Sequence, residues 1–241
     1  LLTAALALAA APALAGETVS YEVNGEAYEG YLAVPAGAPA GLVLVIHDWD
    51  GLGEYEERRA DMLAELGYAA FAADLYGAGN RPQETAAKKA ETAKLYADRE
   101  AMRARILGGL ATAREAVGAL PAVVMGYCFG GAATLELARS GAAEDVVGYT
   151  SFHGGVATPE GQSWAGVDTF VLVAHGGADS AITLDDVAQL GRELEAASTP
   201  YEIQIYSGAP HAFTVFGSDR YRERADTQSW AAFTDLLRER L

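Results

Sequence analysis

The sequence predicts an α/β fold: a mostly parallel central sheet with helices on both faces and an antiparallel hairpin at the N-terminal end. Three observations lead there. Short unbroken apolar runs, such as Leu42–Ile46 and the AVVMGY run ending at Tyr127, read as strands buried on both faces. Segments with apolar residues at helical spacing separate them. The two kinds alternate along the chain, as parallel strands joined by crossover helices require.

The elements follow in order. TVSYEVNGEAYEGYLAVP is two extended runs around Asn24-Gly25, a hairpin signal. After Leu42–Ile46, Glu54 to Leu66 reads as a helix with Tyr55, Met62 and Leu66 on one face and Gly67 as its stop. YAAFAAD is the next strand. Glu84 to Gly118 reads as one long helix with Ile106, Leu110, Ala113 and Val117 as its apolar stripe and Glu84–Lys88 as an i,i+4 ion pair. The pattern then repeats: AVVMGY into helix Phe129–Arg139, strand DVVGYTSF, strand FVLVAH into helix Leu184–Ala197, strand YEIQIY into a last helix with Trp230, Phe233, Leu237 and Leu241 on one face.

The 241 residues suit one α/β domain, and 51% of them are hydrophobic, enough for a large core. The formal charge of −16 repels phosphate backbones, so no nucleic-acid partner is expected. The sequence has no phosphate-binding loop, and Pro82 spoils the Gly-rich GAGNRP stretch as a dinucleotide fingerprint. The opening LLTAALALAAAPALA reads as a truncated signal peptide over residues 1–15 with an Ala-x-Ala cleavage site at Ala13–Ala15. The mature domain is then 16–241, exported to the periplasm or secreted, with no stable membrane insertion once the leader is removed.

Cys128 is the only cysteine, so it cannot form an intrachain disulfide. It is either an inert buried thiol or a functional one. Its setting, Gly126-Tyr127-Cys128-Phe129-Gly130, is Gly-x-Ser-x-Gly with cysteine at the centre, between a core strand and a helix. That composition builds a nucleophile elbow, a strained strand-to-helix turn that small neighbours make room for. The helix N-terminus there favours the thiolate.

An α/β-hydrolase site needs nucleophile, acid and histidine in that chain order. Asp179, in AHGGADS, and His211, in YSGAPHAF, each follow a predicted strand. Ligands in open α/β sheets bind at that carboxyl edge. The expected roles are Cys128 as nucleophile, His211 as its base or ion-pair partner, and Asp179 as the group that orients the imidazole. The oxyanion hole is expected from the N–H groups of Phe129 and Trp49. The other histidines, His47, His153 and His175, lack metal-site spacing, so neither metal nor cofactor is expected. His153 and His175 are expected to bond loop backbone, and Glu54, Glu56 and Glu57 to form a solvated helix surface.

At IHDWDGL, GYAAFAADLYG, MGYCFGG, AHGGADS and GAPHAF, from about Val23 to the C-terminus, the chain resembles the dienelactone hydrolase family. The resemblance implies a cofactor-free hydrolase of lactones or activated esters with the triad Cys128, Asp179 and His211. In well-known members a Glu after the first parallel strand holds the resting thiol; Asp48 stands there in this sequence. Two arginines clamp a substrate carboxylate in those members. Ala78, with Arg81 three residues on, and Val215 stand at those places. Small neutral substrates are therefore expected. The reading is hydrolysis of a carboxylic ester or lactone through a Cys128 thioester. A thioesterase or other acyl hydrolase with the same triad, and a non-catalytic thiol-bearing binding module, stay open beside it. The sequence leaves the oligomeric state unassigned.

Overall fold

The computed structural model describes residues 16–241, so the expected leader at 1–15 lies outside the described residues. One eight-stranded sheet forms the centre, in the order β1-β2-β4-β3-β5-β6-β7-β8. β1 (Glu17–Val23) and β2 (Glu26–Ala33) make the hairpin. Its turn residues Asn24 and Gly25 have φ of 52° and 81°, the left-handed pair that a two-residue turn between twisted strands needs. β2 joins β4 (Ala69–Ala73) antiparallel. β4, β3 (Leu42–Ile46), β5 (Ala122–Tyr127), β6 (Val146–Phe152), β7 (Phe170–Gly176) and β8 (Tyr201–Tyr206) are parallel neighbours.

Every residue of β3, β4 and β5 is buried, which is why these strands read as unbroken apolar runs. Alternate side chains feed two cores. Leu42, Leu44 and Ile46 face α3 (Arg99–Val117), α4 (Phe129–Ser140) and α5 (Leu184–Ala197). Val43 and Val45 face α1 (Glu54–Glu65) and α6 (Glu223–Arg240).

Three expectations fail locally. The stretch Glu84–Gly118 is two helices, α2 (Thr85–Ala97) and α3, because the Asp98 side chain accepts the Ala101 N–H at 2.9 Å and caps a new helix. Lys88 pairs with Asp50 at 3.2 Å rather than with Glu84, whose extended backbone lies just outside α2. The buried face of α1 carries Glu56, Arg59, Ala60, Leu63 and Ala64, while Leu66 is exposed. Arg59 is buried because its guanidinium reaches Asp226 of α6 and the Thr214 carbonyl. A helix-period reading that counts only apolar residues places that charged side chain outside. Among the described residues no helix is long and apolar enough to cross a membrane.

Candidate active site

Cys128 lies between β5 and α4 with φ 52° and ψ −111°. For a residue with a Cβ this conformation costs ~1–3 kcal/mol and persists only where neighbours enforce it. Here the Cys128 N–H donates to Phe152 O at 3.0 Å and its carbonyl accepts the Ala132 N–H at 3.2 Å, tying the turn to β6 and α4. The flanking glycines are steric requirements. A Cβ on Gly126 would lie 2.3 Å from the Gly130 backbone, and one on Gly130 2.3 Å from Ile46 O.

Asp179 follows β7 and His211 follows β8, and the topology brings both to the thiol. His211 Nε2 is 3.0 Å from Cys128 Sγ, and His211 Nδ1 is 2.8 Å from Asp179 Oδ2. Asp179 is itself fixed, because its Oδ1 accepts the N–H groups of Ala181 at 2.8 Å and Ile182 at 3.0 Å. With Nδ1–H donating to the carboxylate, Nε2 is the imidazole atom free to accept from the thiol.

Burial pushes the Cys128 thiol up to about 12, with negative charge on Asp48 adding to the shift and the Phe129 N–H opposing it. Desolvation outweighs the helix N-terminus. That burial works against the thiolate that the helix-dipole argument leads to. The N–H of Phe129, the first residue of α4, has no intrahelical acceptor. Trp49 lies on the loop after β3, where its carbonyl accepts the Tyr76 hydroxyl at 3.1 Å and Lys88 Nζ stands 5.5 Å from its ring centroid.

That loop is pinned from below. His47 is fully buried, its Nδ1 donating to Asp48 O at 2.6 Å and its Nε2 accepting the Leu75 N–H at 3.1 Å. Glu56, expected in solvent, is buried, and its carboxyl accepts the Asp48 N–H at 3.3 Å and the Gly53 N–H at 3.1 Å. Its position three residues after Gly53 is a capping-box spacing and was the available signal. Burial raises Glu56 to about 8; burial, Asp50 and Glu56 raise Asp48 to about 9. No hydrogen bond joins Asp48 to the thiol, and its charge acts on the sulfur only once the carboxyl ionises, near pH 9 and above.

Arg81 is occupied elsewhere. Nη1 bonds the carbonyls of Gly77 at 3.3 Å and Asn80 at 3.0 Å and lies 3.4 Å from Asp74 Oδ1. His175 bonds loop backbone, with Nε2 3.1 Å from Ile182 O. His153 instead meets the Thr214 hydroxyl at 2.8 Å, because its ring packs behind His211 at 5.3 Å between centroids and faces a side chain there.

The chain matches the sequence profile of the dienelactone hydrolase family over residues 28–241. It belongs to the dienelactone hydrolase family. It is thus a hydrolase with the α/β-hydrolase fold. It is 26% identical over 234 residues to a candidate 2-oxo-3-(5-oxofuran-2-ylidene)propanoate lactonase of Bradyrhizobium sp., covering 90% of this chain and 91% of that protein. It is 27% identical over 223 residues to a candidate carboxymethylenebutenolidase of Aquifex aeolicus, covering 89% and 94%. The crystal structure of a dienelactone hydrolase-like promiscuous phosphotriesterase from metagenomic libraries superposes with a TM-score of 0.83 at 28% identity, covering 93% of this chain and 97% of that one.

Proposed function

We propose that this dienelactone hydrolase family member cleaves a carboxylic ester or lactone through a thioester on Cys128. The observation that supports this most is the unbroken chain from Cys128 Sγ through His211 to Asp179, at 3.0 and 2.8 Å. His211 Nε2 takes the thiol proton as Sγ attacks the substrate carbonyl carbon. The carbonyl oxygen becomes an oxyanion facing the N–H groups of Phe129 and Trp49. Asp179 stabilises the imidazolium that forms. When the intermediate collapses, His211 returns the proton to the departing alkoxide, leaving the acyl group on sulfur. Water, deprotonated by the same imidazole, then adds to the thioester carbonyl, and the thiol leaves as the carboxylic acid forms.

A protonated resting thiol suits this scheme. His211 acts as general base in the attack itself, so an unreactive thiol is activated only when substrate is in place. The lactone class is suggested by the names of the relatives, a lactonase and a carboxymethylenebutenolidase. Export, resting on the leader-like residues 1–15, is part of the same proposal. The test is turnover of a panel of esters, lactones and thioesters by the protein and by Cys128→Ala. Ester or lactone turnover lost in the variant is expected. A preference for thioesters would redirect the reading to a thioesterase, and alkylation of Cys128 without turnover of any substrate would leave a thiol-bearing binding module.

A further inference from the structure

A cavity of about 410 Å³ opens alongside α4, between α2, α3, the start of α5 and the loops that follow β6 and β7. Three contacts join it to the site. Ala132, on its wall, donates its N–H to Cys128 O; Ala181 and Ile182, on another wall, hold the Asp179 carboxyl; the Tyr96 ring meets Phe129 edge-on at 5.5 Å. Small apolar side chains, including Val156 and Ile182, cover much of its length. Its charged lining is Arg99, Arg139 and Asp186.

Hydrogen-bond donors outnumber acceptors around the two arginines. The buried Glu136 carboxyl receives Arg99 Nη1 at 3.0 Å, Arg103 Nη1 at 2.6 Å, Arg139 Nη2 at 3.4 Å and Gln162 Nε2 at 2.9 Å on both oxygens. It has no further capacity. Arg139 Nε goes to Gln162 Oε1 at 2.9 Å, and Arg139 Nη1 is buried with no partner. Arg99 uses only Nη1 and keeps 29% of its side chain exposed. Each acidic group nearby already holds other donors, Asp186 on one oxygen and Glu193 on both. Asp186 Oδ2 takes the Thr183 N–H and hydroxyl, each at 2.7 Å, and Glu193 takes the Thr158 hydroxyl and Gln189 Nε2. A buried guanidinium nitrogen without an acceptor is costly, and an acceptor supplied by a ligand would offset that cost.

We propose that this cavity is the acyl-chain subsite of the hydrolase and that it selects chains ending in a carboxylate, which Arg99 and Arg139 hold. The proposal rests on the ester-cleaving reading above. It reverses the expectation of neutral substrates, which weighed Ala78, Val215, Arg81 and the acidic net charge but not these two arginines. The carboxylate is a distal one: Glu136, which marks the arginine cluster, follows Cys128 by eight residues, ~12 Å along the helix axis. A medium-length chain spans that distance along the apolar walls, unlike a carboxylate set next to the scissile bond.

The test compares mono-p-nitrophenyl suberate with p-nitrophenyl octanoate, which differ only in the terminal carboxylate. The ratio of their kcat/KM values should favour suberate by about tenfold or more in the wild type, fall at least tenfold in Arg99→Gln and be partly kept in Arg99→Lys. A structural defect lowers both rates and leaves the ratio in place, which would overturn the assignment, as would a wild-type ratio near one. Suberate binding to Cys128→Ala, followed by calorimetry, separates the two proposals. Binding that Arg99→Gln abolishes supports the anion site even if no ester is cleaved, in which case only the hydrolytic reading fails. Ester cleavage without suberate binding overturns the subsite alone.

Discussion

His211 Nε2 stands 3.0 Å from the Cys128 sulfur, while the opposite nitrogen of the ring stands 2.8 Å from Asp179. Residues separated by 83 and 32 positions thus form one line of hydrogen bonds. The parallel sheet makes this possible by delivering the ends of β5, β7 and β8 to one edge.

Three groups in one line should fail as a unit. Cys128→Ala and His211→Ala are each expected to lower kcat by about 10³-fold or more, with the double variant little worse than either. Asp179→Asn should cost less, because the base survives with its orientation impaired. Losses that multiply in the double variant would mean that the residues act independently.

The thiol should be slow toward alkylating agents near neutrality. A group pushed up to about 12 by burial ionises far above the ~8.5 of a free cysteine. The iodoacetamide rate should climb through pH 9 without a plateau and approach that of an ordinary thiol only on unfolding. A plateau below pH 7 would reveal a thiolate–imidazolium pair at rest.

Asp48→Asn should act through pH. Burial and its acidic neighbours raise Asp48 to about 9, so at pH 7 the group is neutral and asparagine is a close replacement. Activity at pH 7 should change by less than about threefold; activity near pH 9 should be retained in the variant and decline in the wild type. Stability follows the same sign. The folded value lies above the ordinary one of ~3.9, so the stabilisation is complete below pH ~4 and is lost as pH rises through about 9. The urea midpoint of Asp48→Asn, measured relative to wild type, should therefore rise from pH 5 to pH 9. A variant that tracks the wild type at every pH contradicts the assignment.

Gly130→Ala should disable the elbow. The added methyl would lie 2.3 Å from Ile46 O and 2.5 Å from His47 O, both backbone atoms that cannot step aside. A loss of about 2–3 kcal/mol in unfolding free energy is expected, with activity lost alongside. An alanine variant of full stability would show that the close approach of α4 to β3 is not needed.

Much of this was legible in the sequence. Buried strands and amphipathic helices announce themselves through periodicity, and the elbow does so through Gly126, Cys128 and Gly130. What stayed hidden was charge turned inward. Arg59 is buried against Asp226, and Glu56 holds the Asp48 and Gly53 N–H groups. Arg99, Arg103 and Arg139 gather on Glu136. Charged residues read as solvent-facing until their tertiary partners are known, and these pairs join α1 to α6 and α3 to α4. The burial of the thiol stayed hidden for a related reason: the helix terminus is local and visible in sequence, whereas desolvation depends on everything packed around the sulfur.

The central claim is that Cys128 carries the acyl group, and acid-quenched intact-protein mass spectrometry during turnover of an activated ester tests it most directly. The expected result is an added acyl mass, mapped to the peptide containing Cys128, that hydroxylamine removes, with no adduct and no turnover in Cys128→Ala. Continued turnover by Cys128→Ala, or an acyl group mapped to another residue, would contradict it.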